Sequence, residues 1–291
     1  MKLGIKVDVD TLRGYAEGMP RMLDLFGELG IKASIFFSFG PDNSGKAIRR
    51  IFRPGFLSKM FRTKAPTTYG FKTLLYGTLL PAPLIVESDG GIFKRAVSSG
   101  HDCGVHAWDH VLVQDKLASM SAVDFETLYR RAESLFQSLS GFKPCSYAAP
   151  GWQVSEVSLT VEERLGLKYA SDTRGHSPFY PQMNNREYAV PQVPTTLPTM
   201  DEVLGLDGMS DAGLIRLWLD GLKYDWNVLT VHAEMEGMSK LGLFRDFLTT
   251  AAAEGVEFIT LAQIASSPIT DRAEIREGTV AGRAGLVALQ V

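Results

Sequence analysis

The sequence predicts an α/β fold built on a parallel sheet, open or closed into a barrel. Three observations carry that expectation. Short β-prone runs alternate with amphipathic helical patterns along the chain. The 291 residues hold enough such units for one large barrel, or for two small domains. Several β-prone runs end in aspartate or histidine, and α/β folds build their sites at strand C-termini.

The elements follow in order. LGIKVDV makes a strand over 3–9, and Met22, Leu23, Leu25, Phe26 and Leu29 recur at helical spacing over 18–29. KASIFFSF gives a strand over 32–39, then a helix lies near 89–99 and a strand at 101–106. A long helix over 121–140 stops at Gly141 and Pro144. Strand 145–149, helix 155–165, strands 167–171 and 188–193, helix 210–222, strand 226–232 and helix 240–254 continue the alternation. A short strand and helix over 256–266 close it, giving one domain over 1–267 and a tail over 268–291.

Composition narrows the class. With 45% hydrophobic and 22% charged residues the chain reads as globular, and a net charge of −3 argues against a nucleic-acid partner. Cys103 and Cys145 are expected to be core thiols. No basic-then-apolar leader precedes the first strand, and no run of about 18 apolar residues reads as a membrane span, so the cytoplasm is the expected compartment.

Residues 43–86 interrupt the rhythm. They carry Lys46, Arg49, Arg50, Arg53, Lys59, Arg62, Lys64 and Lys72, interleaved with large apolar side chains, and no Asp or Glu. A βα connection needs only a few residues, so this is an insertion. It reads either as a solvated basic lid or as an element that meets an anionic membrane surface, with Arg49, Arg50, Arg53, Lys59, Arg62 and Lys64 as headgroup or lipid-phosphate contacts.

The chemistry-bearing residues sit at the strand ends. Asp8 and Asp10 are at i and i+2, hence on one face of a strand, where two carboxylates repel. His106 and His110 are at i and i+4, which on a helical turn puts both imidazoles on one face. Alone, the first pair also reads as a turn or cap, and the second as chance. Together they offer an aspartate and two histidines for a divalent cation, with the other aspartate left to take a proton from water. Manganese, cobalt, nickel and zinc all accept that donor set. His232 ends strand 226–232, where it reads as a rim histidine or as a donor to a leaving amine. Asp172 and Arg174 follow another strand, where they could orient a histidine and clamp an anion. His101 reads as structural.

DVD, HAWDH and TVHAE in this order resemble the polysaccharide deacetylases of the NodB-homology type, carbohydrate esterase family 4. The resemblance implies a distorted (β/α) barrel, and the basic, amphipathic insertion of this chain falls after its second strand. It implies metal-dependent hydrolysis of an N-acyl amino sugar, with Asp8 as base, Asp10, His106 and His110 as ligands, and His232 as acid. The family's arginine-x-proline motif falls on AAPGW, which keeps Pro150 but has Ala148 for the arginine that tunes the base; Arg174 is one candidate replacement. Trp108 and Trp152 are candidate walls of a tight acyl pocket, and Glu234 a supporting carboxylate.

DVDTLRG, ASIFFSFGPDN, GVHAWDH, AAPGW, SDTRG, PTTLPTMDEVLG and VHAEMEG are similar to a narrower branch of that family. Those enzymes deformylate an undecaprenyl-phosphate-linked 4-formamido sugar. The similarity implies a role in lipid A modification and polymyxin resistance, at the inner face of the inner membrane. The alternatives are an N-deacetylase of another lipid-linked or peptidoglycan amino sugar, and a non-catalytic glycolipid-binding protein.

Overall fold

The computed structural model describes residues 1–47, 72–206 and 208–291. Strand β1 (Lys2–Val9) pairs with three other strands of a seven-stranded parallel sheet. The sheet continues through β2 (Ser34–Ser38), β3 (Asp102–Ala107), β4 (Ser146–Tyr147) and β5 (Tyr169–Ala170) on one side. On the other side β8 (Trp226–His232) pairs with β1 from Lys2 to Asp8, which sets His232 beside Asp8. The short β9 (Glu257–Ile259) pairs with Lys2–Gly4. A parallel sheet needs cover on both faces, and the side chains of β1 divide accordingly. Leu3, Ile5, Val7 and Val9 enter the large core under the helices. Gly4, Lys6 and Asp8 alternate with them and take the opposite face, where Gly4 meets Val228, Leu261 and Ile264 of the inner core.

Helices α1 (Met19–Leu29), α2 (Gly90–Ser98), α3 (His110–Lys116), α4 (Ala122–Ser140) and α5 (Glu156–Leu165) follow the early strands. Phe39, Phe93 and Phe136 stack edge to face between sheet and helices, with Phe93 and Phe136 5.0 Å apart. Each buried ring contributes about 1.5–3 kcal/mol. The later helices are α6 (Met200–Val203), α7 (Asp211–Asp220), α8 (Leu241–Ala253) and α9 (Leu261–Ala265).

The expected strand 188–193 is absent. Pro191 and Pro194 lack the amide donors a strand needs. Instead the segment threads between β5 and β8: Val193 N donates to Ala170 O at 2.8 Å, and Thr196 N to Val228 O at 3.0 Å. It laces the sheet's two sides together into a distorted half-barrel. The expected strands 145–149 and 167–171 shrink to two residues each. A second sheet forms outside the first, from β6 (Tyr180–Met183), β7 (Arg186–Glu187), β10 (Arg272–Gly278) and β11 (Val287–Gln290).

The insertion leaves and returns at one point, where Ile85 N donates to Gly40 O at 2.9 Å and Asp42 N to Pro83 O at 2.8 Å. Arg49, Arg50, Arg53, Lys59, Arg62 and Lys64 fall on 48–71, outside the described residues.

Candidate metal centre and active site

Asp10 lies just past β1, facing two imidazoles. Its Oδ1 is 3.2 Å from His106 Nε2 and its Oδ2 is 3.5 Å from His110 Nε2. The two histidines do not share a helical turn. His106 is in β3 and His110 opens α3, with a tight turn between them, and the rings still come to 5.1 Å. Asp109 fixes that turn by capping α3: its Oδ1 accepts from Leu112 N at 3.0 Å.

The donor set fits a cation. His106 Nδ1 is 2.7 Å from Ala148 O and can only donate there, so in the neutral, ion-binding form of the ring Nε2 presents its lone pair toward the Asp10 carboxylate. Asp10 Oδ1 is then buried with no hydrogen-bond donor. Two acceptors face each other, an arrangement that a divalent ion resolves. One donor atom from each of Asp10, His106 and His110 lies within 4.8 Å of the others. Burial would raise the Asp10 carboxyl, but His110, His106 and His232 outweigh it and hold it well below the usual range.

Asp8 shares the inner face of β1 with Lys6, whose Nζ is 3.3 Å from Asp8 Oδ2. Asp8 Oδ1 is buried without a partner. Across the β1–β8 pair, His232 is pinned by its backbone, whose N–H donates to Glu236 Oε2 at 2.8 Å. Burial opposes its protonation, but Asp201, Asp10, Glu236 and Asp8 push it up to about 8.

Glu234 holds the loop after β1. Its Oε1 accepts from Asp10 N, Thr11 N and Thr11 Oγ1 at 3.0, 2.7 and 2.8 Å. Gly14 lets it approach, since a Cβ there would sit 2.2 Å from Glu234 Oε1. Burial and Asp10 push the Glu234 carboxyl up to about 8.

Asp172 and Arg174 are placed differently from the sequence reading. Asp172 accepts from Ala149 N at 2.7 Å and from Gln192 Nε2 at 3.0 Å, so it braces the loop after β4 rather than a histidine. Burial pushes it up to about 6. Arg174 gives its guanidinium to the Glu202 carboxylate at 2.6 Å and to Leu197 O at 2.9 Å, rather than to Asp8. Pro150 and Trp152 are buried, and Trp152 Nε1 donates to Thr195 Oγ1 at 3.1 Å. Trp108 remains half-buried, with the Arg131 guanidinium 4.3 Å over its ring. His101 accepts from Ala33 N at 3.1 Å, a structural place.

The sequence reading missed Lys6, Asp201 and Glu236. Lys6 carried a signal: it stands at i−2 from Asp8, the spacing that paired Asp8 with Asp10. Glu236 lies only four residues after His232 and accepts its backbone N–H, whereas Asp201 had no local signal, because tertiary packing brings it to His232.

A comparison with protein families matches the polysaccharide deacetylase model to residues 10–170. The chain belongs to the polysaccharide deacetylase family. Among curated relatives, this polysaccharide deacetylase is 40% identical over 269 residues to the probable 4-deoxy-4-formamido-L-arabinose-phosphoundecaprenol deformylase of Shewanella sediminis, covering 90% of this chain and 85% of that one. The protein of the same name from Wigglesworthia glossinidia brevipalpis is 32% identical, over 95% and 98% of the two chains. Among solved structures, a polysaccharide deacetylase candidate of Mycobacterium smegmatis aligns with a TM-score of 0.65 at 16% identity, over 96% and 94%. A pseudoenzyme of the carbohydrate esterase 4 family from Bacillus anthracis aligns at 0.57 with 10% identity, over 94% and 69%. These two likenesses concern the fold alone. As a polysaccharide deacetylase with such relatives, the chain is a hydrolase acting on an amide C–N bond.

Proposed function

We propose that the chain is a metal-dependent deformylase of an undecaprenyl-phosphate-linked 4-formamido-4-deoxy-L-arabinose, releasing formate and the 4-amino sugar for lipid A modification. The observation that carries this is the Asp10–His106–His110 triangle with Asp8 and His232 on adjoining strands, in a chain 40% identical to a protein named for that reaction.

Asp10, His106 and His110 would hold the cation. When bound, a divalent cation supplies Lewis acidity to an acyl oxygen and makes water acidic near neutral pH. Asp8 takes the proton as water oxygen bonds to the formyl carbon. His232, protonated below about 8, gives its proton to the sugar nitrogen as the C–N bond breaks. Formate and a free amine result. Trp108 lies between His106 and His110 in the sequence, and as the wall of a small acyl cleft it would favour formyl over acetyl.

A lipid-linked substrate brings the protein to a membrane surface, as a peripheral protein of the inner face. Among the described residues no helix is long and apolar enough to cross a membrane. Leu79, at the described end of the acid-free insertion, is 80% exposed beside Leu80 and Leu84, as an interfacial element requires.

The test offers metal-loaded protein a short-prenyl phosphate carrying the formamido sugar, with the acetamido analogue alongside, and reads products by mass spectrometry. Formyl loss alone, stopped by a chelator, is the expected result. Loss of acetyl instead would make the protein a deacetylase. No turnover of either with metal bound would leave a binding protein.

A further inference from the structure

A buried ammonium sits inside the barrel with one functional neighbour. Lys6 is 0% exposed. It alternates along β1 with Ile5 and Val7, so its side chain enters the inner face with that of Asp8. Its Nζ lies 3.3 Å from Asp8 Oδ2 and donates to Ser171 O at 3.1 Å. The rings of Trp152 and Phe36 flank it at 5.3 and 5.8 Å. Among the described residues it is the one cation within ion-pair distance of Asp8.

A buried ion pair is weak ground for stability, because desolvating two charges offsets most of their attraction. An apolar side chain at position 6 would pack in this interior without that cost. Other carriers of positive charge are ruled out by their own contacts. Position 148, just past the end of β4, is alanine and is packed among Phe36 and Tyr169. Arg174 is committed to Glu202 and Leu197.

We infer that Lys6 is the positioning residue for Asp8: tied to Ser171 and walled by two rings, it fixes one carboxylate oxygen and leaves Oδ1 as the oxygen that meets the water. The inference rests on the reading of Asp8 as the base. Lys6 itself touches no reacting atom. The cation that orients the carboxylate thus comes from the same strand, two residues upstream.

The test compares Lys6→Met, Lys6→Ala and Asp8→Asn with the parent protein in the deformylation assay, with metal content measured for each. Lys6→Met keeps the volume and removes the charge. Its kcat should fall by about 100-fold or more, with KM within about twofold and metal content unchanged. In Lys6→Ala, ethylammonium should restore kcat in a saturable way and ethanol should not. A kcat for Lys6→Met within about threefold of the parent overturns the inference, as does equal rescue by ethanol, which would mean that Lys6 only fills space. Should Lys6→Met fail to fold, Lys6→Gln carries the same expected loss. Failure of the underlying reading looks different: an Asp8→Asn protein that still turns over removes Asp8 as base, and a parent protein that spares the formyl group removes the substrate.

Discussion

His232 shows how a single residue's role depends on neighbours far away in sequence. Asp201 is the largest of the charges that raise it, and it reaches the site on α6, a helix with no periodic pattern to flag it. The donor must be protonated, so kcat should fall as pH rises through about 8. Asp201→Asn removes that support, and the alkaline limb of the pH–rate profile should then move to lower pH, with the limb of the parent as reference. Residues whose chemistry is announced by position were legible in the sequence: Asp8 and Asp10 at one strand end, the two histidines at another, His232 at a third. The reason given for the histidine pair was a helical turn, whereas a strand end and a helix start achieve the same convergence. Lys6 was overlooked because a lysine inside an apolar run reads as an exposed interruption, and the inner face of a barrel strand is not exposed.

At the level of elements, the strongly periodic pieces were readable to within a few residues: α1, α4, α5, α8 and β8 match their sequence ranges. The short inner strands were not, because two residues carry no period, and the seam at 191–197 is interrupted by prolines and held by scattered backbone bonds and threonine hydroxyls. The short α6 joins the two sheets. Glu202 accepts from Arg174 at 2.6 Å and from Thr199 N at 3.0 Å, fully buried. Arg174 in turn has its backbone N bonded to Ala288 O of β11. Glu202→Ala strands a buried guanidinium, so chemical denaturation should show a loss of about 3–5 kcal/mol. Because Asp201 is its neighbour, the same variant should also shift the alkaline limb of the rate profile downward.

Across the whole molecule, the polypeptide after Pro268 belongs to the fold. Ile275, Val287 and Ala288 are buried, and Gln290 N donates to Arg174 O at 2.8 Å. A chain ending at Pro268 retains every residue of the metal centre, yet it should melt lower by about 5 °C or more, read by calorimetry. The catalytic set with its brace, from Asp8 to Glu234, spans most of the sequence. β1, the first strand made, finds its longest partner in β8, and Glu234 closes the Asp10 loop from 224 residues away. During synthesis the N-terminal strand must therefore wait, half paired, until nearly four-fifths of the polypeptide has left the ribosome. Asp10, His106 and His110 all emerge within the first 110 residues, but His232 and the Glu234 brace on the Asp10 loop join them only with the completed barrel, so hydrolytic competence should lag behind the ability to hold a cation.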